Sequence, residues 1–170
     1  MLAVAVAVAS LSVLSGGCGV DSPELGYAPV RMDPDPARTK TREVSGRLRE
    51  MVGFEGGVTE SGMSGIGCDS YADDRFTLEH SWSLHGLTGD QVDAGMETLR
   101  KALGENGWKI TKVNEPNGAD RDPEIFAVNE AEHFTVKATA LKGGGKEPRL
   151  GFSVHSACYR AASRDAANHA

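Results

Sequence analysis

The sequence predicts an α+β fold: a two-layer sandwich in which four to five antiparallel strands carry two helices on one face. Three observations lead there. The segments Arg75 to Leu84, His133 to Leu141 and Leu150 to Cys158 alternate apolar and polar residues, the period-two pattern of half-buried strands. Ala37 to Val52 and Gly89 to Glu105 instead space their apolar residues three and four apart, as one face of a helix does. The order helix, strand, helix and then strands in succession favours an antiparallel sheet with one apolar face. At 170 residues, 39% hydrophobic and 25% charged, the chain has the makeup of one globular domain.

The elements follow in turn. In the first helix, Val44, Leu48, Met51 and Val52 form the apolar stripe, and Gly53 is placed to end it. Gly53 to Gly67 holds six glycines in fifteen residues, a density that predicts a long loop and no regular element. The first strand puts Phe76, Leu78, His80, Trp82 and Leu84 on one face. Thr88 caps the second helix, whose stripe is Val92, Met96, Leu99 and Leu103, and Gly104 or Gly107 ends it. Trp108 to Val113 is a second strand and Ile125 to Val128 a short third, separated by a polar loop from Asn114 to Pro123. His133 to Leu141 turns inward Phe134, Val136, Ala138 and Ala140, a turn at Gly143-Gly144-Gly145 follows, and Leu150 to Cys158 turns inward Phe152, Val154 and Ser156.

Before the domain lies a different kind of sequence. Leu2 to Leu14 is thirteen residues with only Ser10 and Ser12 polar, too short to span a bilayer and the length of a signal-peptide apolar region. It ends in Leu14-Ser15-Gly16-Gly17-Cys18. Here the chain resembles the bacterial lipoproteins, whose lipobox is an apolar residue, two small residues and an acceptor Cys. Ser15 stands where that pattern has Leu, and no Lys or Arg precedes the apolar run, so the expected start lies upstream of Met1. The resemblance implies a signal peptide over 1–17, cleavage after Gly17 and a lipid anchor on Cys18, with acyl chains such as palmitate holding the chain on the extracytoplasmic side of the cell membrane. With Gly107-Trp108 at the end of the second helix, the whole looks like the small lipoproteins of unknown role in high-GC Gram-positive bacteria such as streptomycetes. That family implies no activity. Residues 18–36, with Pro23, Pro29, Pro34 and Pro36, are expected to be a flexible tether, 37–160 the domain, and 161–170 a disordered tail.

Lipidation of Cys18 leaves Cys68 and Cys158, which an extracytoplasmic compartment allows to pair. A bridge between them would require the first and last strands to be neighbours, with Cα atoms about 4.4–6.8 Å apart.

Composition and motifs exclude more than they assign. With 18 Lys and Arg against 24 Asp and Glu, net −6, the chain lacks the basic clusters that nucleic acid demands. Gly57 to Ser64 resembles a P-loop in spacing, but Met63 stands where the phosphate-binding Lys must be, so no nucleotide is expected. Ser64 lacks the Gly two residues on that a nucleophile elbow needs. Asp120, Asp122 and Glu124 begin like a calcium loop, but Ile125 and Ala131 occupy its Gly and Glu positions. His80 and His85, at odd spacing on a strand, point to opposite faces, and His80 reads as a hydrogen-bonded core histidine. No cofactor or metal is expected. The face of the sheet away from the helices would show Thr77, Thr111 and Ser153 together with Glu79, Ser81, Lys137, Thr139 and His155. That set reads either as a solvated sheet face or as a binding face. The expectation is a non-enzymatic, membrane-anchored domain binding an envelope component or a protein; the alternative is a hydrolase or metal-dependent enzyme.

Overall fold

A computed structural model describes residues 25–68, 72–115, 122–142, 145 and 147–170. The segment expected to be a signal peptide, the lipobox-like run and Cys18 lie outside the described residues, as do Asp120 and the Gly143-Gly144 pair. The fold is α+β. Its elements are β1 (Val30–Arg31), α1 (Pro34–Val52), β2 (Gly57–Ile66), β3 (Arg75–His85), α2 (Gly89–Glu105), β4 (Lys109–Asn114), β5 (Glu124–Asn129), β6 (Phe134–Leu141), β7 (Arg149–His155), β8 (Tyr159–Arg160) and α3 (Arg164–Ala167).

The sheet is larger than four to five strands, and it is mixed. Eight strands run in the order β1-β8-β3-β7-β6-β5-β4, with β2 also paired to β3. All pairings are antiparallel except β1 with β8, which is parallel. The long alternating segments form the centre as expected. The additions are short or glycine-rich strands whose pairing partners, not their own composition, make them strands.

The clearest correction is β2. The glycine-rich segment expected to be a loop runs as a ten-residue strand against the full length of β3, from Gly57 opposite His85 to Ile66 opposite Thr77. Glycines weaken a strand by leaving it nothing to pack, but an edge strand packs little, and most of β2 is exposed. Gly62, with φ +99°, sits at the register shift after Glu60 and supplies the backbone conformation a bulge needs. At Gly65 a Cβ would stand 2.5 Å from the backbone of Ala170, so the glycine admits the last residues of the chain.

The last alternating segment is broken. Its first part is β7; at Ser156 the strand leaves register and resumes as β8, both parts pairing with β3. Ser156 Oγ accepts from the Leu78 amide at 2.9 Å and donates to the Ala157 carbonyl, holding the break inside the protein. First and last strands are therefore neighbours, and Cys68 and Cys158 are joined in a disulfide with Cα atoms 5.8 Å apart.

Both ends of the domain extend beyond the predicted limits. Helix α1 starts at Pro34, because proline in the first turn loses no intrahelical hydrogen bond and its φ is already helical. Upstream, Tyr27 stacks on His133 with ring centroids 3.7 Å apart, and its hydroxyl accepts from the Cys158 amide. Residues 27–33 thus lie on the domain and are not tether. Nor does the 161–170 segment fray. Ser163 caps α3, the Ala162 amide donates to Asp33, and Ala161 and Ala167 are buried with Phe76, Leu78 and Tyr159 in a small second core.

In the main core, Trp82, Phe152, Ala138 and Ile125 follow one another across β3, β7, β6 and β5, so they share a face. Val44, Leu48 and Val52 of α1 and Val92, Leu99 and Leu103 of α2 pack on that face. Thr88 caps α2 in a capping box with Gln91, each side chain bonded to the other residue's amide. The two helices cover the inner face, and the outer face stays open.

Candidate functional site

The open face is built by register. Glu79 of β3 pairs with His155 of β7; Ser81 pairs with Ser153, which in turn pairs with Lys137 of β6; Ser83, Gly151 and Thr139 make the next row. The structure therefore brings Glu79, Ser81, Lys137, Thr139 and His155 onto three adjacent strands. The Glu79 carboxylate accepts from Ser153 Oγ at 3.0 Å and from Ser81 Oγ at 3.3 Å, and Ser153 Oγ lies 3.3 Å from His155 Nε2. Lys137 reaches the other way, to Glu124 at 3.7 Å. The acid bonds the serine and not the histidine, so these groups do not form the serine–histidine–acid order of a nucleophile relay. Glu79, Ser81, Ser153 and His155 are linked to one another, and Lys137 and Thr139 lie beside them on β6.

Two depressions border the patch. One, of about 780 Å³, runs over Asn114, Glu124, Lys137, Thr139 and Ser153. The other, of about 550 Å³, runs over Thr59, Ser61, Ser81, Ser83 and His85. Both are shallow; the first is lined by the carboxylates of Glu115, Asp122 and Glu124 as well as Thr139 and Ser153, the second mainly by hydroxyls, and neither offers an apolar enclosure.

On the helix side of the sheet a second polar group is buried. Ser45, in the middle of α1, lies with its Oγ 2.9 Å from His80 Nδ1, and His80 Nε2 lies 3.7 Å from a carboxylate oxygen of Glu60 on β2. Ser45 and His80 are almost fully buried, and His80 is the core histidine expected from its place on the apolar face. Burial lowers its pKa below the ordinary value; the Glu60 carboxylate pulls the other way but does not outweigh it. Ser45 sits amid helical turns whose amides bond within α1, so no backbone donors converge where an acyl oxyanion would form. Beside this group is a cavity of about 180 Å³ lined by Arg42, Ser45, Gly46, Arg49, Val58, Glu60, His80 and Trp82. The Trp82 indole N–H is buried and makes no hydrogen bond.

Sequence reasoning placed the open-face residues together but missed this cavity. Its lining comes from α1, β2 and β3, and the strand that supplies Glu60 is the one the glycine content hid. Among the described residues no group of three or more His, Cys, Asp or Glu is placed to hold a metal ion, and no helix is long and apolar enough to cross a membrane. Comparison of the chain with family models, curated proteins and solved structures returned no match.

Proposed function

We propose that the chain is a lipid-anchored extracytoplasmic domain, attached to the membrane through Cys18, that binds an envelope component or protein on its open sheet face and catalyses no reaction there. The observation that carries the binding reading is the row arrangement of Glu79, Ser81, Ser153 and His155 beside Lys137 on the side the helices leave uncovered. A face kept merely solvated needs no mutual hydrogen bonding; one whose polar groups are fixed before a ligand arrives loses less entropy on binding. The anchor reading is supported by the apolar run before Cys18, and an oxidising location by the Cys68–Cys158 bridge.

Two measurements test this. Fractionation of cells carrying Cys18→Ser should move the protein out of the membrane fraction or stall its processing; unchanged partition with normal processing refutes the anchor. Co-sedimentation of the chain with isolated cell envelopes should fall when Ser81→Arg and Thr139→Arg crowd the face. Retention equal to wild type would remove the open face as the binding surface.

A further inference from the structure

We propose that the end of the domain formed by β1, β8 and the close of β2 is a contact surface for the lipid bilayer, so that the open sheet face stands edge-on to the membrane and meets its partner beside the membrane surface. The inference rests on the lipid anchor at Cys18 proposed above. Tyr27 is fixed on the domain: its ring stacks on His133, just before β6, and its hydroxyl accepts from the Cys158 amide, just before β8. Tyr27 is nine residues after Cys18, and a chain of that length reaches about 30 Å at full extension. A domain of this size is about 40 Å across. The opposite end, where β3 finishes at His85, therefore cannot be turned to the bilayer while the acyl chains of Cys18 lie in it.

The second observation is independent of chain length. Among the described residues, the large apolar side chains left exposed are Val30 and Ile66, each about half exposed. Register puts both at this same end. Val30 of β1 lies opposite Tyr159 of β8, which lies opposite Phe76 near the start of β3. Ile66, the last residue of β2, lies opposite Thr77, the next residue of β3. The two therefore flank one end of the sheet, one on each edge. The acids beside them do not face a bilayer unopposed, because Asp74 pairs with Arg160 at 2.8 Å and Asp73 with Arg164 at 3.2 Å. Two half-exposed side chains do not hold a domain on a membrane; the acyl chains supply the affinity, and Val30 and Ile66 favour the side that meets the interface. From this end β3 runs from Arg75 to His85, about 33 Å, away from the bilayer. The pair Glu79 and His155 lies in the half nearer the membrane, so the open face looks along the membrane plane.

The test uses the lipidated protein in phosphatidylcholine nanodiscs doped with a lipid that carries gadolinium on its headgroup. Amide NMR signals of Val30, Arg31, Ile66 and Arg160 should be broadened severalfold more than those of His85, Gly86 and Leu87. Inserting about twenty Gly and Ser residues after Gly19 raises the reach to about 95 Å and should remove most of that difference. Val30→Ser combined with Ile66→Ser changes exposed side chains and should narrow it. The intact mass of the protein separates two failures. No lipid on Cys18 overturns both the anchor and this inference. Lipid present with equal broadening at the two ends, or with stronger broadening at His85 to Leu87, overturns the contact surface and leaves the anchor standing. So does a difference that survives both the insertion and the double serine variant unchanged.

Discussion

Opening the Cys68–Cys158 bridge should lower stability by an amount set mainly by the chain it closes. The two residues are 90 apart in sequence. The chain-entropy relation for a loop of that length gives about 4.6 kcal/mol at room temperature, an upper figure because denatured chains are already partly compact. The structure confines the damage. Cys68 lies two residues beyond β2 and Cys158 immediately before β8, so the bridge ties the edge strand to the place where the last strand breaks. The central strands β3, β7, β6 and β5 keep their own ladders without it. Urea denaturation of oxidised and reduced protein is the assay. With m about 2 kcal/mol/M, a loss of about 2–4.6 kcal/mol moves the midpoint down by roughly 1–2 M. The slope should rise on reduction, because a chain without the cross-link exposes more surface when it unfolds. Hydrogen exchange should show β2 and β8 losing protection first. A midpoint change under roughly 0.3 M would mean the bridge removes little freedom from the unfolded chain. Free thiols at Cys68 and Cys158 in the protein purified without reductant would refute the pairing itself.

Leu99→Ala, at a position with no exposed surface in the stripe of α2, should cost about 2–5 kcal/mol in the same assay, and a loss under half a kcal/mol would show that α2 does not pack as described. Thr88→Ala removes one half of the capping box and should cost about 1 kcal/mol with no change in the open face. His80 predicts a pH dependence. Its folded pKa lies below the ordinary value of 6.5, chiefly through burial, with Glu60 of β2 opposing the shift and Arg42 of α1 adding to it. Between the lowered pKa and the region just above 6.5 the unfolded state binds more protons, so stability should fall as pH drops through that window. His80→Gln should flatten the slope; wild-type protein that gains stability on acidification there would show that the buried ring is held charged.

What was legible in the sequence, and what was not, follows one physical line. Segments that carry their own pattern were readable: α2 runs over the residues its stripe and cap predicted, and the alternations of β3, β6 and β7 located the centre of the sheet. Segments whose structure is conferred by a partner were not. Nothing within Gly57 to Ile66 distinguishes a strand from a loop; the length of β3 beside it does, by offering an unpaired edge. The same holds for 161–170, where alanines too small to signal a core are buried against Phe76, Leu78 and Tyr159 from β3 and β8. This division decides which sites a sequence can reveal. The open-face residues sit on self-patterned strands, where alternation alone puts Glu79, Ser81, Lys137 and Thr139 on one side. The cavity draws Arg42 and Ser45 from α1, Glu60 from the strand that its partner makes, and His80 and Trp82 from the face counted as core. Its histidine looks like packing until β2 is in place and brings the Glu60 carboxylate to 3.7 Å from the ring. A site assembled across such a strand becomes visible only when the pairing that creates the strand is known.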